Sequence, residues 1–139
     1  MRKKLDAERE PRFAAKSAVR TVIDARRAPA ALNDGNTHIW LRPRAHVVHY
    51  PVRAGREIAV VVILDDQDLS DGWGMEVMPA WLAPRVARFP AGMRDLLGAA
   101  QSWHKWSLFT DAAPTRWSRG PVTLLGDAAH PVLPFLAQG

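Results

Sequence analysis

AHVVHYPVRAGREIAVVVIL, which spans residues 45–64, carries the clearest structural signal in the chain. Residues 45–52 have strand character, and residues 57–64 are nearly all apolar or β-branched, as is typical of a strand at the centre of a sheet. Between them, Ala54-Gly55 supplies turn chemistry. The sequence therefore predicts two antiparallel strands, Ala45–Val52 and Glu57–Leu64, joined by a short turn.

Two further segments with strand character precede this pair. They are Ser17–Asp24 and Thr37–Leu41, and turn-forming residues separate the segments at 33–36 (Asn-Asp-Gly-Asn) and at Pro43. Four strands joined by short turns predict an antiparallel sheet, because a parallel sheet needs long crossover connections between its strands.

After the sheet, the pattern becomes irregular and then helical. Residues 65–80 are predicted to form a loop, because Gly72, Gly74 and Pro79 interrupt any regular element. Apolar residues then recur at helical spacing: Leu82, Val86, Phe89, Met93, Leu96 and Leu97. Since Pro90 would break a single helix, we expect two short helices, with Pro90 near the start of the second.

Two more extended segments complete the expected α+β fold. Trp103–Thr110 returns to an extended pattern, and Val122–Leu125 is predicted to be a short buried strand that leads into Gly126.

The composition is that of an ordinary globular protein. The chain has 139 residues, of which 47% are hydrophobic and 24% charged, enough for one domain with a core. The absence of cysteine excludes disulfides, thiolate metal sites and a cysteine nucleophile. The charged opening MRKKLDAERE is not followed by an apolar run, and no stretch has the length of a membrane span. We expect a cytoplasmic protein without a membrane partner.

The net charge of +5 comes from arginines scattered along the chain. Acidic residues at positions 65, 66, 68 and 71 interrupt the positive field, and no basic stripe alternates with stacking aromatic residues. The sequence therefore predicts no nucleic-acid partner.

The C-terminal segment GPVTLLGDAAHPVLPFLAQG, residues 120–139, has the pattern of a ligand-contacting turn. Gly126 ends the predicted strand and lets the backbone approach a ligand closely. Asp127 follows at the carboxyl end of that strand, where it can accept hydrogen bonds from sugar-like hydroxyls. Pro131 stiffens the loop, and Gln138-Gly139 has the pattern of a helix start, whose free N–H groups can face an anion or an electron-rich ring edge.

The whole segment is more specific than a Gly-Asp turn. Gly-Asp-Ala-Ala-His-Pro at 126–131, followed by Pro134 and Ala-Gln-Gly, resembles the second flavin-contact motif of FAD-dependent aromatic-ring monooxygenases related to salicylate and 6-hydroxynicotinate hydroxylases. Lys16–Arg20 resembles the strand that opens the substrate domain of that family, and residues 46–52 resemble its central strand. Residues 117–127 match the approach to the flavin motif, so the resemblance covers residues 12–139.

The resemblance implies a hydroxybenzoate-hydroxylase-like fold in three parts. Residues 1–11 would be a polar lead-in, residues 12–115 the antiparallel substrate-domain sheet with two short helices, and residues 116–139 the last strand and loop of an FAD-binding domain. In that family, NAD(P)H reduces the flavin and O2 is used to hydroxylate an electron-rich aromatic ring, so the cofactor supplies the chemistry. The expected partner is a small aromatic substrate, and no metal is implied.

The same resemblance assigns roles to the C-terminal residues. The aspartate at the position of Asp127 binds the ribityl chain of FAD, next to Gly126, and the proline at Pro131 lies along the isoalloxazine. Gln138 and Gly139 would offer backbone N–H groups to the pyrimidine end of the flavin. Phe135 is expected in the substrate pocket, where some hydroxynicotinate-type members carry a histidine, so their acid–base scheme is not expected here.

The central strand offers two candidate catalytic residues. His46 and Tyr50 point to one face of the predicted strand, and His49 points to the other. His46 and Tyr50 can therefore reach into one cavity and hydrogen-bond or deprotonate a phenol. The alternative is that they are ordinary polar residues of a half-exposed sheet face, and for His49 we favour that structural interpretation.

Two motifs of the family are not found in these residues. There is no Gly-x-Gly-x-x-Gly after a strand, the motif that holds the FAD pyrophosphate, and no Asp-Gly pair precedes the sheet. Two hypotheses remain. The chain is an incomplete copy of a flavin monooxygenase, inactive alone and in need of a complementing N-terminal Rossmann segment, or it is a non-enzymatic remnant or interaction module that retains the sheet.

Overall fold

The computed structural model describes residues 11–69, 74–111 and 116–135. Its strands are β1 (Arg12–Asp24), β2 (His38–Arg42), β3 (Ala45–Val52), β4 (Glu57–Asp65), β5 (Met75–Val77), β6 (Trp103–Thr110), β7 (Ser118–Arg119) and β8 (Val122–Thr123). Its α-helices are α1 (Pro79–Leu82) and α2 (Ala91–Gly98). The chain divides into two compact units, Ala15–Ser107 and a second unit formed by Met1–Ala14 with Leu108–Gly139.

A six-stranded sheet with the order β2-β3-β4-β1-β6-β5 dominates the structure. The β3–β4 pair is antiparallel, with Val47 opposite Val62 and Tyr50 opposite Ala59. The turn between them has positive φ angles at Arg53, Ala54 and Gly55. The predicted antiparallel sheet is therefore confirmed, and β3 has the bounds expected from the sequence.

Alternation along the strands gives the sheet two unlike faces. One face, which we call the helix-covered face, packs in a single apolar core with residues of the helices; the core includes Val19, Val47, Val60, Val62, Leu82, Met93, Leu96 and Trp103. The opposite face, which we call the His46 face, carries the intervening side chains, among them Ala18, Arg20, His46, Val48, Tyr50, Ala59, Val61 and Ile63.

Two short helical segments cover the core, as the spacing of apolar residues predicted. Pro79 occupies the first turn of α1, where its missing N–H removes no helical hydrogen bond, and a 3-10 turn, Ala83–Arg85, follows. Pro90 is the N-cap residue of α2. None of the helices in the described part of the chain is long and apolar enough to cross a membrane.

The segment expected to be a loop contains strand β5. Val77 lies opposite Trp103 on β6 and is buried. The local sequence did not show this strand, because its three residues are held by pairing with a partner far along the chain.

One of the acidic residues that follow β4 is buried. Asp66 is 5% exposed, and its carboxylate lies 2.5 Å from the ammonium of Lys105. Ser17 donates a hydrogen bond to Asp66 at 2.8 Å, and Lys105 donates one to the carbonyl of Asp68 at 3.0 Å. This buried ion pair joins the end of β4 to β6.

Candidate functional site on the His46 face and the Gly-Asp segment

His46 and Tyr50 lie on the same face of β3, and both are half-buried. Their neighbours on β4 are Ile63 and Ala59, and the buried Val48 lies between them. Residues four apart on a strand are separated by about 13 Å along the backbone. The two polar side chains therefore stand at opposite ends of an apolar floor, where they can contact the two ends of a single-ring ligand.

The imidazole of His46 is held in its neutral form. Burial lowers its pKa below the usual value, and the positive charge of Lys16 lowers it further. Lys16 forms an ion pair with Asp65, and the Nε of Arg44 donates a hydrogen bond to the same carboxylate at 3.0 Å. A neutral imidazole can accept a hydrogen bond from a phenol.

His49 lies on the opposite side of β3 and is 1% exposed. Its Nε2 donates to the carbonyl of Leu32 at 3.2 Å, and its ring stacks on that of His38 with centroids 4.8 Å apart. The structure therefore separates His49 from His46 and Tyr50 and places it in the packing of the helix-covered face.

A groove of about 420 Å³ runs beside this floor, one strand away from Tyr50. Its lining includes Arg20, Val22, Ala59, His104 and Trp106. Arg20 is exposed and forms no ion pair with any of the described residues. Arg20 is one of the arginines scattered along the sequence, and its position next to the core residue Val19 was the signal that it points away from the core.

The Gly-Asp segment belongs to the second unit. Gly126–Ala128 forms a 3-10 turn, and Gly126 has a φ of 54°, a conformation that favours glycine. The backbone N–H groups of Ala129 and His130 donate to the Gly126 carbonyl at 2.9 and 3.0 Å. Asp127 is exposed, and no group in the described part of the chain hydrogen-bonds to its carboxylate.

The strand expected before Gly126 is shorter and more exposed than predicted. β8 has only two residues, Val122 and Thr123, and pairs with β7. Leu124 is buried, but Leu125 is 81% exposed. The prediction of a buried strand over Val122–Leu125 was therefore wrong: β8 ends at Thr123, both of its residues are exposed, and among the described residues it pairs only with β7.

The other predicted flavin and substrate contacts are only partly described. Pro131 and Phe135 are half-buried, and the His130 ring lies 5.9 Å from that of Trp117. Gln138 and Gly139 lie outside the described residues. Within the described ranges, no cluster of three histidine or acidic residues could hold a metal ion.

The geometry around Gly126 leaves open space beside the backbone. A Cβ atom added to Gly126 would meet nothing within 4 Å, so there is room for a ligand against the backbone. The neighbouring carboxylate of Asp127 is exposed and retains its capacity to accept hydrogen bonds.

Comparisons with known proteins agree on one family. The chain is 35% identical over 130 residues to 3-amino-4-hydroxybenzoate 2-monooxygenase PtnB3 of Streptomyces platensis, covering 93% of this chain and 33% of that protein. It is 31% identical over 131 residues to 3-hydroxybenzoate 6-hydroxylase 2 of Aquipseudomonas alcaligenes, covering 94% and 41%. No protein-family profile matches the chain.

Solved structures show the same fold at lower identity. A salicylate hydroxylase substrate complex has a TM-score of 0.78 at 23% identity, over 90% of this chain and 34% of that one. Klebsiella pneumoniae HpxO complexed with FAD and uric acid has a TM-score of 0.78 at 21% identity, over 99% and 35%.

The mostly antiparallel sheet with two short helices thus matches part of the fold of FAD-dependent hydroxylases, as the sequence predicted. The chain is homologous to part of the FAD-dependent aromatic-ring monooxygenases, and it spans about a third of the length of the curated relatives that it matches first.

Proposed function

We propose that this chain supplies the substrate-facing sheet and one flavin-contacting segment of an enzyme that hydroxylates a small aromatic substrate with FAD, NAD(P)H and O2. The observation that carries the proposal is the row His46–Val48–Tyr50, an apolar floor with a polar group at each end. Relatives named as hydroxybenzoate monooxygenases support an aromatic substrate. Use of NAD(P)H is in keeping with a cytoplasmic location, which stays a prediction.

FAD, when bound, supplies the electron transfer and oxygen activation. The carboxylate of Asp127 would accept hydrogen bonds from the ribityl hydroxyls, and Gly126 would let the backbone approach them. Pro131 would lie beside the ring system, and the backbone N–H groups of Gln138 and Gly139 would face its pyrimidine end.

The residues of the sheet would bind and orient the substrate. The neutral His46 would accept the phenolic proton, which makes the ring more electron-rich, and Tyr50 would hydrogen-bond to the other end of the ring. Arg20 would pair with a carboxylate substituent. The side chain of Phe135 would provide an apolar wall that excludes water.

FAD binding would further require the Gly-x-Gly-x-x-Gly segment that the 139 residues do not contain. We infer that a complementing Rossmann segment completes the site. The test is the flavin absorbance of the purified chain, alone and mixed with the part of the A. alcaligenes hydroxylase that this chain does not cover. We expect little flavin on the chain alone, and flavin retention with hydroxybenzoate-stimulated NAD(P)H oxidation in the mixture.

Each outcome of this experiment separates the alternatives. Near-stoichiometric flavin on the chain alone would refute the need for a complementing segment. No flavin and no stimulated NAD(P)H oxidation in the mixture would refute the enzymatic proposal and favour an interaction module. In a mixture that retains flavin, Asp127→Ala should weaken FAD binding whereas Asp95→Ala, a change at an exposed residue of α2, should not; equal affinities would remove Asp127 from the cofactor site.

A further inference from the structure

One edge of the six-stranded sheet is unpaired within the described residues. β2 is the first strand in the sheet order, and its neighbour there is β3. Every second residue of β2 points its backbone N–H and C=O groups away from β3, and no described residue outside the sheet forms a backbone hydrogen bond with them. Such edges accept a further strand unless lysine, proline or a bulge blocks them. The β2 sequence, His-Ile-Trp-Leu-Arg, contains no lysine or proline, and its register with β3 is continuous.

The apolar side chains of β2 are typical of a strand inside a sheet. Ile39 and Leu41 lie on the His46 face, where they are 44% and 66% exposed. Trp40 lies on the helix-covered face and packs partly against the core. A strand with apolar residues on both faces is expected between two neighbours, because both faces are then buried. The exposed apolar area therefore favours a further strand beside β2.

The two ends of β2 are complementary in charge. Arg42 at one end is exposed and forms no ion pair with any described residue. At the other end, the carboxylate of Asp34 lies 2.9 Å from Nε2 of His38, and its side chain is 42% exposed. When two β2 strands pair antiparallel about Trp40, Arg42 of one copy stands opposite His38 of the other. There its guanidinium can reach the Asp34 carboxylate of that copy, and twofold symmetry repeats this contact at the other end.

We propose that this chain forms a homodimer through β2, in which the β2 strands of two copies pair antiparallel and join their sheets into one. Ile39 of each copy faces Leu41 of the other on the His46 side, and the two Trp40 side chains meet on the helix-covered side. Arg42 forms an ion pair with Asp34 of the other copy at both ends. Since each copy contributes a short strand, the interface is small and the dimer is reversible. The dimer does not depend on the proposed function.

Analytical ultracentrifugation of the full chain tests the dimer. We expect a monomer–dimer equilibrium that depends on concentration over about 1–500 μM, the range in which a small interface dissociates. Leu41→Lys should raise the dissociation constant at least about tenfold, because a lysine on an edge strand opposes strand addition. Met78→Lys is the matched control, since Met78 is 65% exposed but lies outside β2, and it should leave the dissociation constant unchanged. A monomer at every concentration, or equal effects of the two variants, would overturn the proposal.

A charge exchange tests the register of the two strands. Arg42→Glu alone and Asp34→Lys alone each bring like charges together in a homodimer and should weaken it. A mixture of these two variants has an attractive pair at both ends, so a heterodimer should form more tightly than either homodimer. Arg88→Glu, a change at an exposed arginine outside the sheet, should give no such gain when it is mixed with Asp34→Lys. If the Arg42→Glu and Asp34→Lys variants do not prefer each other, the proposed pairing is wrong.

The remainder of a longer hydroxylase is the alternative occupant of this edge. Hydrogen exchange of the β2 amides that point away from β3 is measured on the chain alone, and on the chain mixed with the part of the A. alcaligenes hydroxylase that it does not cover. We expect exchange to slow as the concentration of the chain alone rises. Exchange that slows only in the mixture would overturn the homodimer and assign the edge to the hydroxylase part.

Discussion

Replacing Lys105 with methionine tests the buried ion pair that fixes the end of β4 to β6. The Lys105 side chain is 2% exposed, and its ammonium bonds to Asp66 at 2.5 Å and to the carbonyl of Asp68 at 3.0 Å. Burial by itself raises the pKa of Asp66, but the hydrogen bonds from Lys105 and Ser17 outweigh it and hold the pKa below the usual value. Without Lys105, a buried carboxylate would retain only the Ser17 hydroxyl and the N–H of Asp68.

The expected loss is large relative to the stability of a domain. Removing one partner of a buried ion pair costs about 3–5 kcal/mol, and small domains have a free energy of unfolding of about 5–15 kcal/mol. Replacing both partners, in Lys105→Met with Asp66→Leu, should recover most of the loss, because no uncompensated charge remains in the core. Urea denaturation at pH 7, followed by circular dichroism and tryptophan fluorescence, measures these differences.

The neighbouring residue Asp65 provides the control. It pairs with Lys16 on the other face of the sheet, where the Lys16 side chain is 34% exposed. Lys16→Met should therefore cost only about 0–1 kcal/mol. If Lys105→Met loses no more stability than Lys16→Met, the buried pair does not have the energetic role that its geometry indicates.

Three other predictions concern pH, glycine positions and substrate binding. Burial lowers the pKa of His49, so the unfolded chain binds a proton at this residue more readily than the folded chain does. The free energy of unfolding should therefore be fully retained above about pH 6.5 and should fall at lower pH, by at most about 1.4 kcal/mol per pH unit. A free energy of unfolding from urea titrations that does not change with pH would contradict this. Gly74→Ala should destabilise the fold by about 1–2 kcal/mol, because φ at Gly74 is 74° and an added Cβ would lie 3.3 Å from the Trp106 ring. Gly98→Ala should stabilise it by about 0.5–1 kcal/mol, because alanine favours a helix and an added Cβ would meet nothing within 4 Å. Thermal unfolding that ranks the two variants in the opposite order would refute this. In a reconstituted enzyme, Arg20→Gln should raise the KM for a carboxylated substrate about tenfold, with a smaller effect on the matching phenol, and equal changes for both would remove Arg20 from carboxylate recognition.

The sheet and its two faces were predictable because one strong local pattern sets them. The apolar run at 57–64 and the turn at Ala54-Gly55 specify the β3–β4 pair. Because side chains alternate along a strand, each residue of β3 is then assigned to one or the other face of the sheet. The family resemblance was also visible in the sequence, since residues 120–139 combine several motif residues at fixed spacing.

The features that the sequence did not show all depend on distant partners. Nothing in the sequence around Asp66 indicates that it is buried, because its partners Lys105 and Ser17 lie 39 and 49 positions away. β5 exists because β6 pairs with it, and β8 extends only as far as its pairing with β7, which ends at Thr123 and leaves the exposed Leu125 outside the strand. Local patterns predict what a segment prefers, but they do not show which charge or strand meets it in space.

The register of β3 connects the stability of this protein with its proposed chemistry. A shift of the pairing by one residue would turn His46 and Tyr50 toward the helices and Val47 toward the His46 face, because side chains alternate along a strand. The same register buries Val47 and Val62 in the core and sets His46 and Tyr50 at the two ends of an apolar floor. The core therefore holds the proposed substrate contacts in place, and the turn at Arg53, Ala54 and Gly55, with its three positive φ angles, is the local feature that keeps the two strands aligned.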